Sequence, residues 1–436
     1  MFTNQDIYLS KRVSIDEAVS HMRSDSDIVV AQCASEPQGC MSRFHIMKDR
    51  VQDVKVFSVL TLQPYEFYMK PEMKGHFELC SWFHAPGSRQ ALKNKTGTVT
   101  YVPNMLHRAG LDRISVRRPH IFFGTCTPPD AHGFVSLSLG ITYEKEMIEN
   151  AEIVVLEVNE KLPRTFGDTH VHVSDVDFFV EHHQDPPSLP SPTPTETETA
   201  IGNHIASLVE DGATIQLGIG GIPNAAALSL RSKKNLGVHT EMFVDSMMEL
   251  YEMGVITNKE KTLYKDKFIC TFAMGSPKLY RWLDQNVAVE FQRGKWVNDP
   301  FVMRRNARMT SINTCLSVDF TGQVASESIG SQQYSGTGGQ SDTAMGAVEG
   351  ADGHGKSIIA CQSTAKGGEV SSIQPTLLGG SAVTLHRSYT DYVVTEHGIA
   401  HLRGRTVRER TKALINIAHP KFREELAYQA KNLGYL

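Results

Sequence analysis

Between His182 and Ala200 the chain reads HHQDPPSLPSPTPTETETA, a segment that punctuates the sequence. Proline fixes φ and removes a backbone donor, so a stretch this rich in proline, serine and threonine predicts an extended linker. It divides a chain of 436 residues, already too long for one ordinary domain. We place the boundary there, with one domain over residues 1–190 and a second over 191–436. On either side, helical patterns alternate with short β-branched runs, which predicts α/β architecture. The two parts also echo each other. SIDEAVSHMRSDSDIVVAQCASEPQG and IGNHIASLVEDGATIQLGIGGIPNA both read as helix, acidic turn, short buried strand and a loop closing on a proline, Pro37 or Pro223. The fold class expected is therefore two similar α/β domains in tandem. The last segment, IAHPKFREELAYQAKNLGYL, reads as a closing helix with Pro420 near its start.

Charge narrows the partners. A net charge of −4 gives neither a nucleic-acid footprint nor a polybasic membrane patch. No apolar run approaches the length that spans a bilayer, and the start MFTNQDIYLSKRVSIDEAV lacks the core of a signal peptide. The seven cysteines are odd in number and scattered, with no CxxC pair. They read as reduced thiols of a cytoplasmic protein. The expected partners are small molecules, with no nucleic acid and no membrane.

Several motifs could carry chemistry. In TIQLGIGGIPNAAALSL a short strand ends in Gly218, Gly220 and Gly221, and a helix begins near Pro223. Such a loop either brings backbone N–H groups to an anion or is a tight turn without a ligand. In YSGTGGQSDTAMGA, Gly338 and Gly339 could aim N–H groups at an oxyanion, or form a plain loop. GADGHGKS, from Gly350 to Ser357, matches a P-loop literally. That motif needs a strand before it and a helix after it, whereas SIIACQST follows here, so we read a turn between strands. His170 and His172 share one face of a strand, as a metal pair or as ordinary strand histidines; no metal site is expected. Glu396 in VVTEHGIAHLRG follows an apolar run and either ends a strand near a site or is a surface carboxylate.

Glu241 in LGVHTEMFVDSMMELYEMG poses the sharpest question. Thr240 reads as a helix N-cap, which puts Glu241 in the first turn. Met242, Leu250 and Met253 then form an inward stripe, and Asp245, Glu249 and Glu252 an outer face. A glutamate there complements the helix dipole or serves as a base or nucleophile. Physical chemistry alone does not separate the two.

Taken together the stretches QLGIGGIPNA, LGVHTEMF, WVNDP, SINTCLSVDFTGQV, SGTGGQSD, VVTEHGIAHLRG and IAHPKFREEL resemble the acetyl-CoA hydrolase/transferase family of coenzyme A transferases. FGTCTPPDAHGFVSLSLG and EVNEKLPRTFGD extend the resemblance into the first half. The length is nearest the 4-hydroxybutyrate and butyrate CoA-transferase branch. The resemblance implies an active site between two α/β domains, a homo-oligomer, and coenzyme A or acyl-CoA as substrate with no tightly bound cofactor. It implies that Glu241 is the catalytic glutamate. Gln216, Gly218, Ile219, Gly220, Gly221 and Ile222 match the CoA-binding stretch. Gly338 and Gly339 match a pair that holds the thioester oxygen and CoA, and Asn298 and Glu396 match polar positions near the site. Three positions depart from the family pattern, Thr343, Ser372 and His397, and they put the acyl pocket in question. The implied reaction moves CoA between short acids through a glutamyl-CoA thioester, with ping-pong kinetics. The other readings are an acyl-CoA hydrolase using the same glutamate, a non-catalytic CoA-binding protein and, remotely, a P-loop nucleotide-binding protein.

Overall fold

The computed structural model describes residues 3–189, 193–218 and 220–436. Pro190–Pro192 of the expected linker and Ile219 of the first glycine loop lie outside the described residues. The chain forms two units: residues 1–189 with 270–296, and residues 190–269 with 297–436. The first unit thus ends its first stretch beside the expected boundary and takes a second stretch from later in the chain.

In the first unit the apolar runs form seven strands: β1 (Ser26–Val30), β2 (Val54–Val59), β3 (Phe77–Phe83), β4 (Val99–Tyr101), β5 (Ile121–Cys126), β6 (Ile153–Val158) and β7 (Phe178–Glu181). They pair in the order β7-β6-β5-β1-β2-β3-β4, all parallel. Parallel strands are covered on both faces, which is why these runs are almost continuously apolar. Val29, Phe57 and Phe122 fill one face; Ile28, Val56 and Phe123 fill the other. Each fully buried side chain of this kind contributes about 1.5–3 kcal/mol.

Residues 270–296 complete this unit through backbone hydrogen bonds. Ile141 N–H donates to Thr271 O at 2.9 Å, Ala273 N–H to Leu139 O at 2.8 Å, and Asp168 N–H to Phe291 O at 2.9 Å.

The second unit is built on β8 (Thr214–Leu217), β9 (Gly237–Val238), β10 (Thr310–Thr314), β11 (Lys356–Ala360), β12 (Tyr392–Thr395) and β13 (Gly398–His401). Their order is β9-β8-β10-β11-β12-β13, parallel except for the last pair. The chain steps from β8 to one side and then returns to continue on the other. The point of reversal, between β8 and β10, is where open α/β sheets bind ligands.

The echo in sequence has a counterpart in structure. Helix α1 (Ile15–Ser20) leads into β1, as helix α2 (Glu196–Leu208) leads into β8. Pro37 then stands at the N-cap of a short helix, and Pro223 in the first turn of helix α3 (Gly221–Ser229). Pro420 opens helix α6 (Pro420–Asn432), after helices α4 (Asp245–Glu252) and α5 (Gln340–Val348).

The P-loop match is a turn, but between a helix and a strand rather than between two strands. It follows α5, and Lys356 begins β11, the reverse of the order a P-loop requires. Its ammonium donates to Leu208 O at 2.9 Å and to Glu210 Oε1 at 2.6 Å, so it ties α2 to the sheet. Among the described residues no helix is long and apolar enough to cross a membrane.

Candidate active site

The expectation that Glu241 lies in the first turn of a helix does not hold. Helix α4 starts at Asp245, and its N-cap position is Val244. Glu241 sits at a bend just before a short strand, Met242–Phe243: Thr240 N–H donates to Ile269 O at 2.9 Å and its hydroxyl to Met242 O at 3.2 Å. Buried Met242 and Phe243 override the local capping signal. The stripe also shifts, because Met247, Met248 and Leu250 are buried while Met253 is 53% exposed. Asp245, assigned to the outer face, is buried. The dipole of α4 therefore does not account for Glu241.

Two donors converge on its carboxyl. Asn298 donates from Nδ2 to Oε2 at 2.9 Å. The Gly339 backbone N–H donates to the same carboxyl group. Gly339 is the N-cap of α5, so the positive end of that helix faces the charge. A Cβ on residue 339 would lie 1.9 Å from Oε2 and 2.2 Å from Asn298 Nδ2, so only glycine fits. Gly338, at φ 53°, supplies the left-handed turn that leads into it. Burial pushes the Glu241 pKa up to about 7; Asp342 adds to the rise, while Asn298 and Gly339 oppose it.

His239 was not singled out from the sequence. It is fully buried, and Nε2 lies 2.8 Å from Val297 O, so it fixes the segment that carries Asn298. Burial and Lys261 lower its pKa to about 3, which keeps the ring neutral. The only signal in the sequence was its place two residues before Glu241. Asp342, fully buried in the first turn of α5, was also missed.

The other candidates fall elsewhere. Gln216 is buried on β8 and joins a network in which Ser311 Oγ (3.0 Å) and Asn313 Nδ2 (3.2 Å) donate to its Oε1. Thr343 Oγ1 completes it, 2.9 Å from Ser311 Oγ and 3.0 Å from Asn313 Nδ2. A Cβ on Gly218 would lie 2.9 Å from Asn313 Oδ1, which packs the loop onto this network.

Gly220, Gly221 and Ile222 open α3 and line a groove of about 390 Å³ with Thr314, Cys315 and Cys361 from the ends of β10 and β11. Ser372, one of the family departures, also borders it. Gly220, at φ 126°, makes the turn. Glu198 places a carboxylate oxygen close against Gly221, so one anion already faces this helix start.

Glu396 follows β12, but it accepts hydrogen bonds from Ser363 N–H and Oγ, with His397 Nε2 at 3.5 Å; it does not bond Glu241. His172, of the strand pair, bonds Ser174 Oγ at 2.8 Å.

A carboxylate of raised pKa held by two hydrogen-bond donors can act as a nucleophile on an acyl group. The profile of the acetyl-CoA hydrolase/transferase N-terminal domain matches residues 2–189, and that of the C-terminal domain matches 275–430. The chain belongs to the acetyl-CoA hydrolase/transferase family. It is similar to a 4-hydroxybutyrate coenzyme A transferase of Clostridium kluyveri, at 43% identity across 98% of this chain and 99% of the relative. It is also 41% identical to a succinyl-CoA:cyclohexane-1-carboxylate CoA transferase of Geobacter metallireducens, over 84% and 83% of the two chains. The crystal structure of RipA from Yersinia pestis superposes with a TM-score of 0.93 over the full length of both chains, at 33% identity. Within the family, then, the chain is a CoA-transferase.

Proposed function

We propose that the protein exchanges CoA between short-chain carboxylic acids, acetyl-CoA serving as donor and 4-hydroxybutyrate or butyrate as acceptor. The observation that carries this reading is the Glu241 carboxyl held by Asn298 and Gly339. Oε1 attacks the thioester carbonyl while Oε2 stays against its donors. The tetrahedral intermediate collapses to a mixed anhydride and CoA thiolate. The thiolate then attacks the glutamyl carbonyl, which frees the first acid and leaves a glutamyl-CoA thioester. At that step the developing oxyanion rests where Asn298 and Gly339 donate; one such donor is worth about 3–4 kcal/mol. The second acid reverses the sequence and leaves as its own CoA ester. Thioester energy is retained throughout, and the kinetics are ping-pong.

In this reading the loop from Gln216 to Ile222 belongs to the CoA site, with Gly220 to Ile222 on the wall of the groove and Gln216 positioning the loop from below. Gly338 sets the approach of Gly339, and Glu396 orders the β12–β13 turn beside His397. Cytoplasmic residence and a homo-oligomer complete the proposal.

Its test is to incubate the protein with acetyl-CoA without acceptor acid, reduce with borohydride and map the peptides by mass. A reduced side chain at Glu241 is expected. An unmodified Glu241 with acetyl-CoA bound, repeated across longer acyl-CoAs, overturns the assignment. Steady release of free CoA in the absence of any acceptor acid identifies a hydrolase instead. Glu241→Gln is expected to abolish transfer while CoA still binds; near-normal turnover in that variant rules Glu241 out as nucleophile.

A further inference from the structure

Cys315 and Cys361 are the first residues beyond β10 and β11. The ladder between these strands pairs Thr314 with Ala360, and it continues as Cys315 N–H donates to Ala360 O at 3.1 Å. The two cysteines therefore stand side by side on neighbouring parallel strands. Neighbouring strands run about 4.8 Å apart, within the Cα separation that a disulfide spans. The two thiols share a side-chain hydrogen bond, and both line one groove, so both side chains turn to the same place. That place is the groove, whose wall includes both residues. Cys361 is buried apart from this opening, and Cys315 is half-buried. The other five cysteines are all buried, and Cys33 faces the sulfur of Met274 rather than a second thiol.

We propose that Cys315 and Cys361 form a dithiol site in the groove wall that reacts with small-molecule disulfides and closes into an intramolecular disulfide. The Cys361 thiolate attacks one sulfur of R–S–S–R. That bond breaks, Cys361–S–S–R forms, and RS⁻ leaves and takes up the proton of Cys361. The contact with Cys361 and burial disfavour ionisation of Cys315, whose pKa is raised, so Cys315 serves as the resolving thiol. Cys315 sulfur then attacks the Cys361 sulfur, and its proton passes to the second departing RS⁻. Two cysteine thiols are oxidised, and one external disulfide is reduced to two RSH. The new bond ties the ends of β10 and β11 across the groove wall. The choice of the disulfide of coenzyme A as the preferred reagent rests on the CoA reading of this groove; the dithiol itself does not.

The experiment treats the full-length protein with CoA disulfide and, in parallel, with hydroxyethyl disulfide, then maps peptides without reduction. A Cys315–Cys361 cross-link is expected with both reagents, and at lower concentration with CoA disulfide. Transfer activity is expected to fall in step with the cross-link and to return with dithiothreitol. In Cys315→Ser the resolving thiol is gone, and the mixed disulfide is expected to persist on Cys361. Equal potency of the two reagents upholds the dithiol and removes the CoA assignment of the groove. The proposal is overturned if Cys315 and Cys361 of the wild-type protein remain open to alkylation after both treatments, under conditions that oxidise the thiols of the urea-unfolded chain.

Discussion

A carboxyl moved out of water resists ionisation, and Glu241 shows how far its neighbours correct this. Burial and Asp342 raise the pKa to about 7, against the pull of Asn298 and Gly339. Attack requires the anion, so kcat/KM is expected to rise along an acidic limb centred near pH 7. Asp342→Asn moves that limb to lower pH and Asn298→Ala to higher pH; a flat profile between about pH 6 and 8 in the wild type refutes the assignment. Stability carries the opposite sign. The folded pKa lies above the ordinary value of 4.5, so the folded state binds the extra proton. The contribution of Glu241 is complete below about pH 4.5 and is lost as pH rises through 7. Glu241→Gln should therefore match the wild type near pH 4 and exceed it above pH 7, by up to about 3 kcal/mol, in denaturant titrations. The sequence singles out Glu241, but its setting was not legible there. A cap, a first-turn acid and an apolar stripe all agreed on a helix that begins later, because burial of Met242 and Phe243 decided the matter.

At the scale of elements, two structures hold the site in register. The first is the start of α5. Gly339→Ala would push a methyl group into the space of Oε2, so activity is expected to fall at least as far as in Asn298→Ala, with Glu241 displaced in a crystal structure of the variant. The second is the buried network of Gln216, Ser311, Asn313 and Thr343 across β8, β10 and α5. Asn313→Ala leaves buried partners unsatisfied and is expected to cost about 1–3 kcal/mol, measured by urea unfolding. A variant as stable as the wild type would show that water replaces the amide fully. The glycines of this region were legible because glycine has few uses. The network was not, since Gln216 and Asn313 are distant in sequence and polar residues on a strand read as exposed. Thr343, a departure from the family pattern, is a member of this network through Ser311 and Asn313.

On the scale of the whole molecule, the repeated helix–strand pattern showed two α/β units, and the motif order showed the family. What a linear reading could not show is that residues 270–296 belong to the first unit. Proline-rich boundaries are visible as composition, whereas a strand or loop that returns to an earlier unit has no local mark. A fragment ending at residue 189 is therefore expected to lack cooperative unfolding by circular dichroism, because the backbone groups of Leu139 and Ile141 lose their partners. A sharp thermal transition in that fragment would refute this. The same interleaving has a consequence during translation. The ribosome delivers the first unit's closing segment only after residues 190–269 of the second unit have emerged. The usual order, in which the N-terminal domain matures while the rest is still being made, is unavailable to this chain. Its first unit must wait, unfinished, while the segment that carries Glu241 is synthesised.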